Sequence, residues 1–172
     1  MVRTRVGYCG GALAEPTYRK VCNDEAFGDY AETIQLEFDG AELSYEDVLA
    51  AFFRSHDAER RGKARQYQSV IFVHDAFQRD VAMAALERYP AAHTKLEVAT
   101  DFWDAEPYHQ KWLLQRKRDI FMTLGMTDTA QLLEAPATTL NAYAAGKLRA
   151  DVAAERLARH GVDDDVLDAL FA

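Results

Sequence analysis

From Ala31 to Phe38 apolar and polar residues alternate, with Ile34, Leu36 and Phe38 on one side and Thr33, Gln35 and Glu37 on the other. That is the period of a half-buried strand, and Asp39-Gly40 ends it. Val2 to Tyr8 reads as an earlier strand, Gln66 to His74 (with Val70, Ile71, Phe72 and Val73 in succession) as a buried one, and Lys95 to Thr100 as a fourth. Between them the period lengthens to that of helices. Ser44 stands as an N-cap with Asp47 three residues on, and Val48, Leu49, Phe52 and Phe53 form the apolar stripe of a helix that stops near His56-Asp57. Asp75 caps a second helix running to about Tyr89, with Pro90 as its terminator, and a third is predicted from Pro107 to Met122, with Gly125 past its end. The order of strands and helices argues an α/β or α+β sandwich in which helices cover one face of a small sheet.

Beyond Asp128 alanine and leucine become frequent, and Pro136 and Gly146 punctuate the chain. Val152 and Leu157 share a helix that Gly161 closes, and Asp163 leads a last turn carrying Val166, Leu167, Leu170 and Phe171. A division into residues 1–135 and a helical extension, 136–172, is therefore expected. At 172 residues the chain suits one core-forming domain with an appendage.

A formal charge of −8 sets up no field that would draw a phosphate backbone, so nucleic acid and anionic membrane surfaces are not expected as partners. No apolar run approaches the length of a membrane span, and Arg3 and Arg5 follow Met1 with no apolar stretch between, which predicts a cytoplasmic protein. Cys9 and Cys22, thirteen positions apart, make neither a disulfide scaffold nor a zinc site. Free thiols, packed as small apolar side chains, are expected of both.

The densest chemistry lies in the irregular stretch from Gly7 to Glu32, where Gly10, Gly11 and Pro16 fix backbone around Tyr18, the two cysteines and a carboxylate at the mouth of a strand. Six blocks of the sequence then fall into a pattern: VGYCGG from Val6 to Gly11, PTYR from Pro16 to Arg19, GDYAE from Gly28 to Glu32, FRSHD from Phe53 to Asp57, QYQS from Gln66 to Ser69, and AEPYHQ from Ala105 to Gln110. Together they resemble the type A peptide-methionine (S)-S-oxide reductases. The likeness covers residues 2 to about 122, and LNAYAAG from Leu140 to Gly146 looks like a C-terminal segment of part of that family.

The resemblance implies an α+β fold, a ferredoxin-like two-layer α/β sandwich with a small C-terminal helical tail. It implies reduction of methionine-(S)-sulfoxide, free or in oxidised proteins, as repair of oxidative damage. No cofactor is implied beyond a dithiol, thioredoxin or another, that restores the enzyme. Glu32 matches the family's acid, which protonates the sulfoxide oxygen, and Tyr18 and Tyr67 match the two hydroxyls that hydrogen-bond it. The family's nucleophile and two pocket aromatics come from a GCFWG motif that has no counterpart among these residues; in the family it lies on a strand and helix upstream of the position of Val2. Loss of a catalytic nucleophile costs on the order of a million-fold in rate. Two readings stay open: a reductase whose nucleophilic cysteine lies upstream of Met1, and a non-catalytic sulfoxide-binding or regulatory protein.

Departures from the family's pattern sharpen the expectations. Tyr30 stands where the family often has histidine, and Arg61 to Arg65 is short and basic where many members place an Asn-Asp pair. Cys9, at a position usually alanine or threonine, is weighed as a replacement nucleophile and set aside, since only Arg19 and Lys20 are near enough in sequence to lower its pKa. Glu106 and His109 are two ligands without a third, and His56-Asp57 is expected to be a structural pair.

Overall fold

The computed structural model describes residues 2–60, 64–126 and 128–171. Its architecture is mixed α+β. Strand β1 (Arg3–Cys9) is the middle strand of a three-stranded sheet, between β2 (Ala31–Glu37) and β5 (Trp103–Asp104). Arg3 pairs with Glu37 at 2.6 Å and Arg5 Nε donates to Gln35 Oε1 at 2.6 Å, so the β1–β2 partners run in opposite sequence sense. β5 is antiparallel to β1, with Gly7 opposite Asp104 and Tyr8 opposite Trp103. The approach demands glycine, because a Cβ at residue 7 would collide with the Trp103 carbonyl and lie 2.7 Å from the Phe102 ring.

Strands β3 (Val70–Val73) and β4 (Lys95–Val98) form a second, parallel pair in which Val70 faces Lys95 and Val73 faces Val98. Parallel neighbours need a crossover, and helix α3 (Ala76–Glu87) supplies it. Asp75 caps α3 by accepting from Gln78 N at 2.7 Å. Ser44 caps α2 (Tyr45–Ser55), accepting from Asp47 N at 3.1 Å and donating to the Asp47 carboxylate at 2.7 Å. Leu49 and Phe53 of α2, Ile71 and Val73 of β3 and Ala82 of α3 close one core, with Phe53 stacked on Tyr89 at 4.0 Å. Tyr8, Val21, Phe27, Tyr30 and Ala105 close another.

The chain divides into two compact bodies, one built from Val6–Ile34 with Phe38–Ala105, the other from Val2–Arg5, Gln35–Glu37 and Glu106–Ala172. The first holds both cores just described. The second is helical, with α4 (Trp112–Gln115), α5 (Arg118–Thr123), α6 (Ala135–Ala144), α7 (Ala150–Arg159) and α8 (Asp164–Phe171). Leu114, Leu132, Leu140, Leu157 and Leu167 belong to its core.

Three elements depart from the pattern-based expectation. The helix predicted from Pro107 to Met122 is broken into a 3₁₀ turn at Pro107–His109, then α4 and α5. Lys111 interrupts it in the left-handed region (φ 47°), where its buried ammonium donates to the Thr4 carbonyl at 2.5 Å. Asn141 Oδ1 on α6 then accepts the Leu114 N–H at 3.0 Å. Gln66 and Tyr67 lie in a 3₁₀ turn (Arg65–Tyr67) ahead of β3 rather than in the strand. The stretch expected to be loop contains helix α1 (Tyr18–Asn23), whose cap Thr17 accepts from Lys20 N at 3.3 Å.

Candidate active site

Tyr18 opens α1 and Cys22 follows one turn later, so their side chains share a face of the helix. The Tyr18 hydroxyl is hydrogen-bonded to the Cys22 thiol. Gln66 Nε2 donates to the same sulfur at 3.4 Å, which brings the turn Arg65–Tyr67, and with it Tyr67, against α1. Glu32, the second residue of β2, completes the group with an exposed side chain.

The electrostatics extend this neighbourhood to Tyr67 and Glu32. The Tyr18 phenol is held above its ordinary value, first by the hydrogen bond to Cys22, then by the negative charges that Cys22 and Tyr67 would carry, with smaller parts from burial and from Glu32. A raised phenol stays protonated, and a protonated phenol is a hydrogen-bond donor. Tyr18 is 41% and Tyr67 49% exposed, so both rings are open to a ligand arriving from solvent. The three residues matched by resemblance are thus gathered in one place in the first body.

Cys22 belongs to this group, against its expected place in the core. The available signal was its spacing of four from Tyr18, which carries meaning only once α1 is recognised as a helix. In a Cys22→Ala variant the Tyr18 phenol should titrate at lower pH than in the parent, followed by NMR of ¹³C-labelled tyrosine rings. An unchanged titration would remove Cys22 from the pair.

Cys9 is 3% exposed, its sulfur against the Thr100 carbonyl at 3.7 Å and hydroxyl at 3.6 Å, a buried thiol. His56 and Asp57 do not bond one another. His56 Nδ1 faces the Phe52 carbonyl at 2.9 Å and donates to it, which leaves Nε2 to accept the Ser69 hydroxyl at 2.7 Å. Asp57 accepts from Glu59 N at 3.1 Å. Glu106 precedes the turn Pro107–His109, and the His109 ring lies 4.3 Å from that of Tyr108. Among the described residues no three His, Cys, Asp or Glu side chains stand together as metal ligands. None of their helices is long and apolar enough to cross a membrane. Arg61, Gly62 and Lys63 of the short basic segment lie outside the described residues.

Comparison with known proteins places this chain in a family. The family model described as peptide methionine sulfoxide reductase matches residues 1–138. Peptide methionine sulfoxide reductase MsrA of Acidobacterium capsulatum is 40% identical over 122 residues, 64% of this chain and 77% of that protein. Peptide methionine sulfoxide reductase of Drosophila melanogaster is 35% identical over 153 residues, 85% of this chain, which spans only 60% of the length of that relative. Among solved structures, Mxr1 from Saccharomyces cerevisiae in reduced form matches with a TM-score of 0.56 at 27% identity, over 67% of this chain and 71% of that one. The chain belongs to the peptide methionine sulfoxide reductase family.

Proposed function

We propose that this protein recognises methionine-(S)-sulfoxide, free or within oxidised proteins, and that Glu32, Tyr18 and Tyr67 are the acid and the two hydroxyl donors of its reduction. The observation that carries the reading is that Glu32 and Tyr67 both lie near Tyr18, with Gln66 and Cys22 tying the Tyr67 turn to α1. A sulfoxide oxygen carries a partial negative charge that grows as the S–O bond breaks, and two phenolic O–H groups that turn to it, Tyr18 exchanging its bond to Cys22, stabilise that charge. Glu32 supplies the proton. It is exposed in the free protein, so a bound sulfoxide with its apolar methyl is what would desolvate the carboxyl and hold it protonated.

In the reaction a thiolate attacks the sulfoxide sulfur, Glu32 protonates the oxygen, the S–O bond breaks and methionine leaves. The oxygen ends as water, and the two electrons come from a dithiol, thioredoxin or another. Neither Cys9, buried against Thr100, nor Cys22, which accepts from Tyr18 and Gln66, takes the nucleophile's part in this reading. No GCFWG motif occurs among the 172 residues, and the reading needs a thiolate other than these two to complete the reduction. A non-catalytic sulfoxide-binding role rests on the same three residues and shares the same recognition step.

Calorimetric titration with the separated epimers of N-acetylmethionine sulfoxide tests recognition. The S epimer is expected to bind at millimolar concentration or below and about tenfold more tightly than the R epimer, the discrimination of one well-placed hydrogen bond. Absence of binding at millimolar ligand, or equal binding of both epimers, would sink it.

A further inference from the structure

We propose that Arg65 is a positioning residue, whose guanidinium clamps the turn presenting Tyr67 to the segment that leads into Glu32. The consequence for sulfoxide binding rests on the function proposed above.

Arg65 begins the 3₁₀ turn and Tyr67 ends it. The guanidinium makes a two-pronged contact with Glu97 on β4, Nη1 donating to Oε1 at 3.0 Å and Nη2 to Oε2 at 2.7 Å. Its third nitrogen, Nε, donates to the Asp29 carbonyl at 2.9 Å, three residues before Glu32. Asp29 in turn accepts the Ala12 N–H at 3.0 Å, so the glycine loop is tied to the same point. One planar group thus joins the Tyr67 turn, a strand of the parallel pair and the approach to the acid. Only a fork of fixed N–H donors makes these three bonds at once, and a lysine ammonium cannot reproduce it.

Gly10 keeps room for the group. It lies in the left-handed region at φ 94°, and a Cβ there would stand 2.7 Å from Arg65 Nη2 and 3.0 Å from the Phe72 ring. The guanidinium carbon lies 5.9 Å from the centre of that same ring. On the other side of the turn, Gln66 is held to Cys22. The turn is therefore fixed from two directions, while the Tyr67 ring it presents is half exposed and gains little orientation from packing of its own. The aim of that hydroxyl must come from the backbone beneath it, where Tyr67 N donates to the Ala64 carbonyl at 2.9 Å and Gln68 N to that of Arg65 at 3.1 Å.

Two variants test this on the whole chain. Arg65→Lys keeps the charge and loses the fork; Glu97→Gln weakens the fork from a residue outside the sulfoxide site. In both, amide hydrogen exchange at Tyr67 and Gln68 should rise about tenfold or more through local opening of the turn, with Ile71 and Val73 unchanged. Binding of N-acetylmethionine-(S)-sulfoxide should weaken about tenfold, and melting should move by less than ~4 °C, because a partly exposed ion pair adds little to global stability. Unaltered exchange at Tyr67 and Gln68 in either folded variant overturns the clamp. Raised exchange with unaltered affinity overturns the positioning role, and parent-like behaviour of Arg65→Lys in both measurements shows that charge alone is needed and overturns it too. Failure of the unsubstituted chain to bind either epimer counts against the proposed function alone, and the clamp is then judged on the exchange rates.

Discussion

Glutamine in place of Glu32 is expected to slow reduction of methionine-(S)-sulfoxide by about 10²–10⁴-fold, the range that a positioned general acid contributes. The assay joins residues 1–172 to the family's GCFWG segment and uses dithiothreitol as reductant. Glutamine has nearly the shape of the carboxylic acid and still donates a hydrogen bond, but it cannot give up a proton as the S–O bond breaks. Affinity for the S epimer should therefore stay within about threefold of the parent while the rate falls, the signature of an interaction made only in the transition state. The pH profile gives an independent check with a definite sign. The acid works only when protonated, so the parent's rate must decline as pH rises through the Glu32 pKa in the complex, and that limb should vanish in the variant. A variant within threefold of the parent rate, or one that retains the limb, would take the proton-donor role from Glu32. β2 fixes the backbone beneath this carboxyl: Ala31 beside it is buried, and further along the strand Gln35 and Glu37 are bonded to Arg5 and Arg3.

Much of the scaffold under this site was legible because local and global preferences agree along it. The alternation from Ala31 to Phe38 became β2, and the caps Ser44 and Asp75 open α2 and α3 as their sequence context predicts. Where distant contacts decide, the pattern was silent. β5 is two residues long and exists because Gly7 lets the Trp103 carbonyl approach, a fact no window around Trp103 contains. The predicted helix from Pro107 breaks at Lys111 because its ammonium is drawn to a carbonyl more than a hundred residues earlier in the chain. Helix α1, six residues long, is too short for a periodic signal, although Thr17 suits its N-cap.

The site divides in the same manner. Tyr18, Tyr67 and Glu32 were named by their motifs, since periodicity assigns a lone tyrosine or a strand-end carboxylate no role. The part of Cys22 and the clamp of Arg65 depend on the facing of α1 and the 3₁₀ turn, which Gln66 and Asp29 complete. Such convergence of separate loops is a property of the fold, and short-range pattern carries no information about it.

Gly11→Ala is expected to be the most damaging small substitution in the glycine loop, costing about 3 kcal/mol or more and lowering the melting temperature by roughly 6–12 °C. Gly11 is buried, and a Cβ built on it falls on three ring atoms of Tyr30. That ring cannot yield. Tyr30 is 1% exposed, its hydroxyl donates to the Leu13 carbonyl, and its face stacks on Phe27 at 6.2 Å. The obstacle is a wedged ring in a dense core rather than the free end of a flexible side chain, so the backbone of the loop must move instead. Gly40→Ala is the matched control, with nothing within 4 Å of its Cβ and an expected change within about 0.5 kcal/mol. The damage should reach the site, because Val21 packs in the Tyr30 cluster beside Cys22 and on the helix that begins with Tyr18; binding of the S-sulfoxide should weaken along with stability. A double-mutant cycle isolates the cause. If the clash with the ring is responsible, Gly11→Ala added to a Tyr30→Ala background should cost less than about 1 kcal/mol, far below its cost alone. Equal costs in the two backgrounds, measured by urea unfolding, would show that the room Gly11 leaves Tyr30 is not the cause.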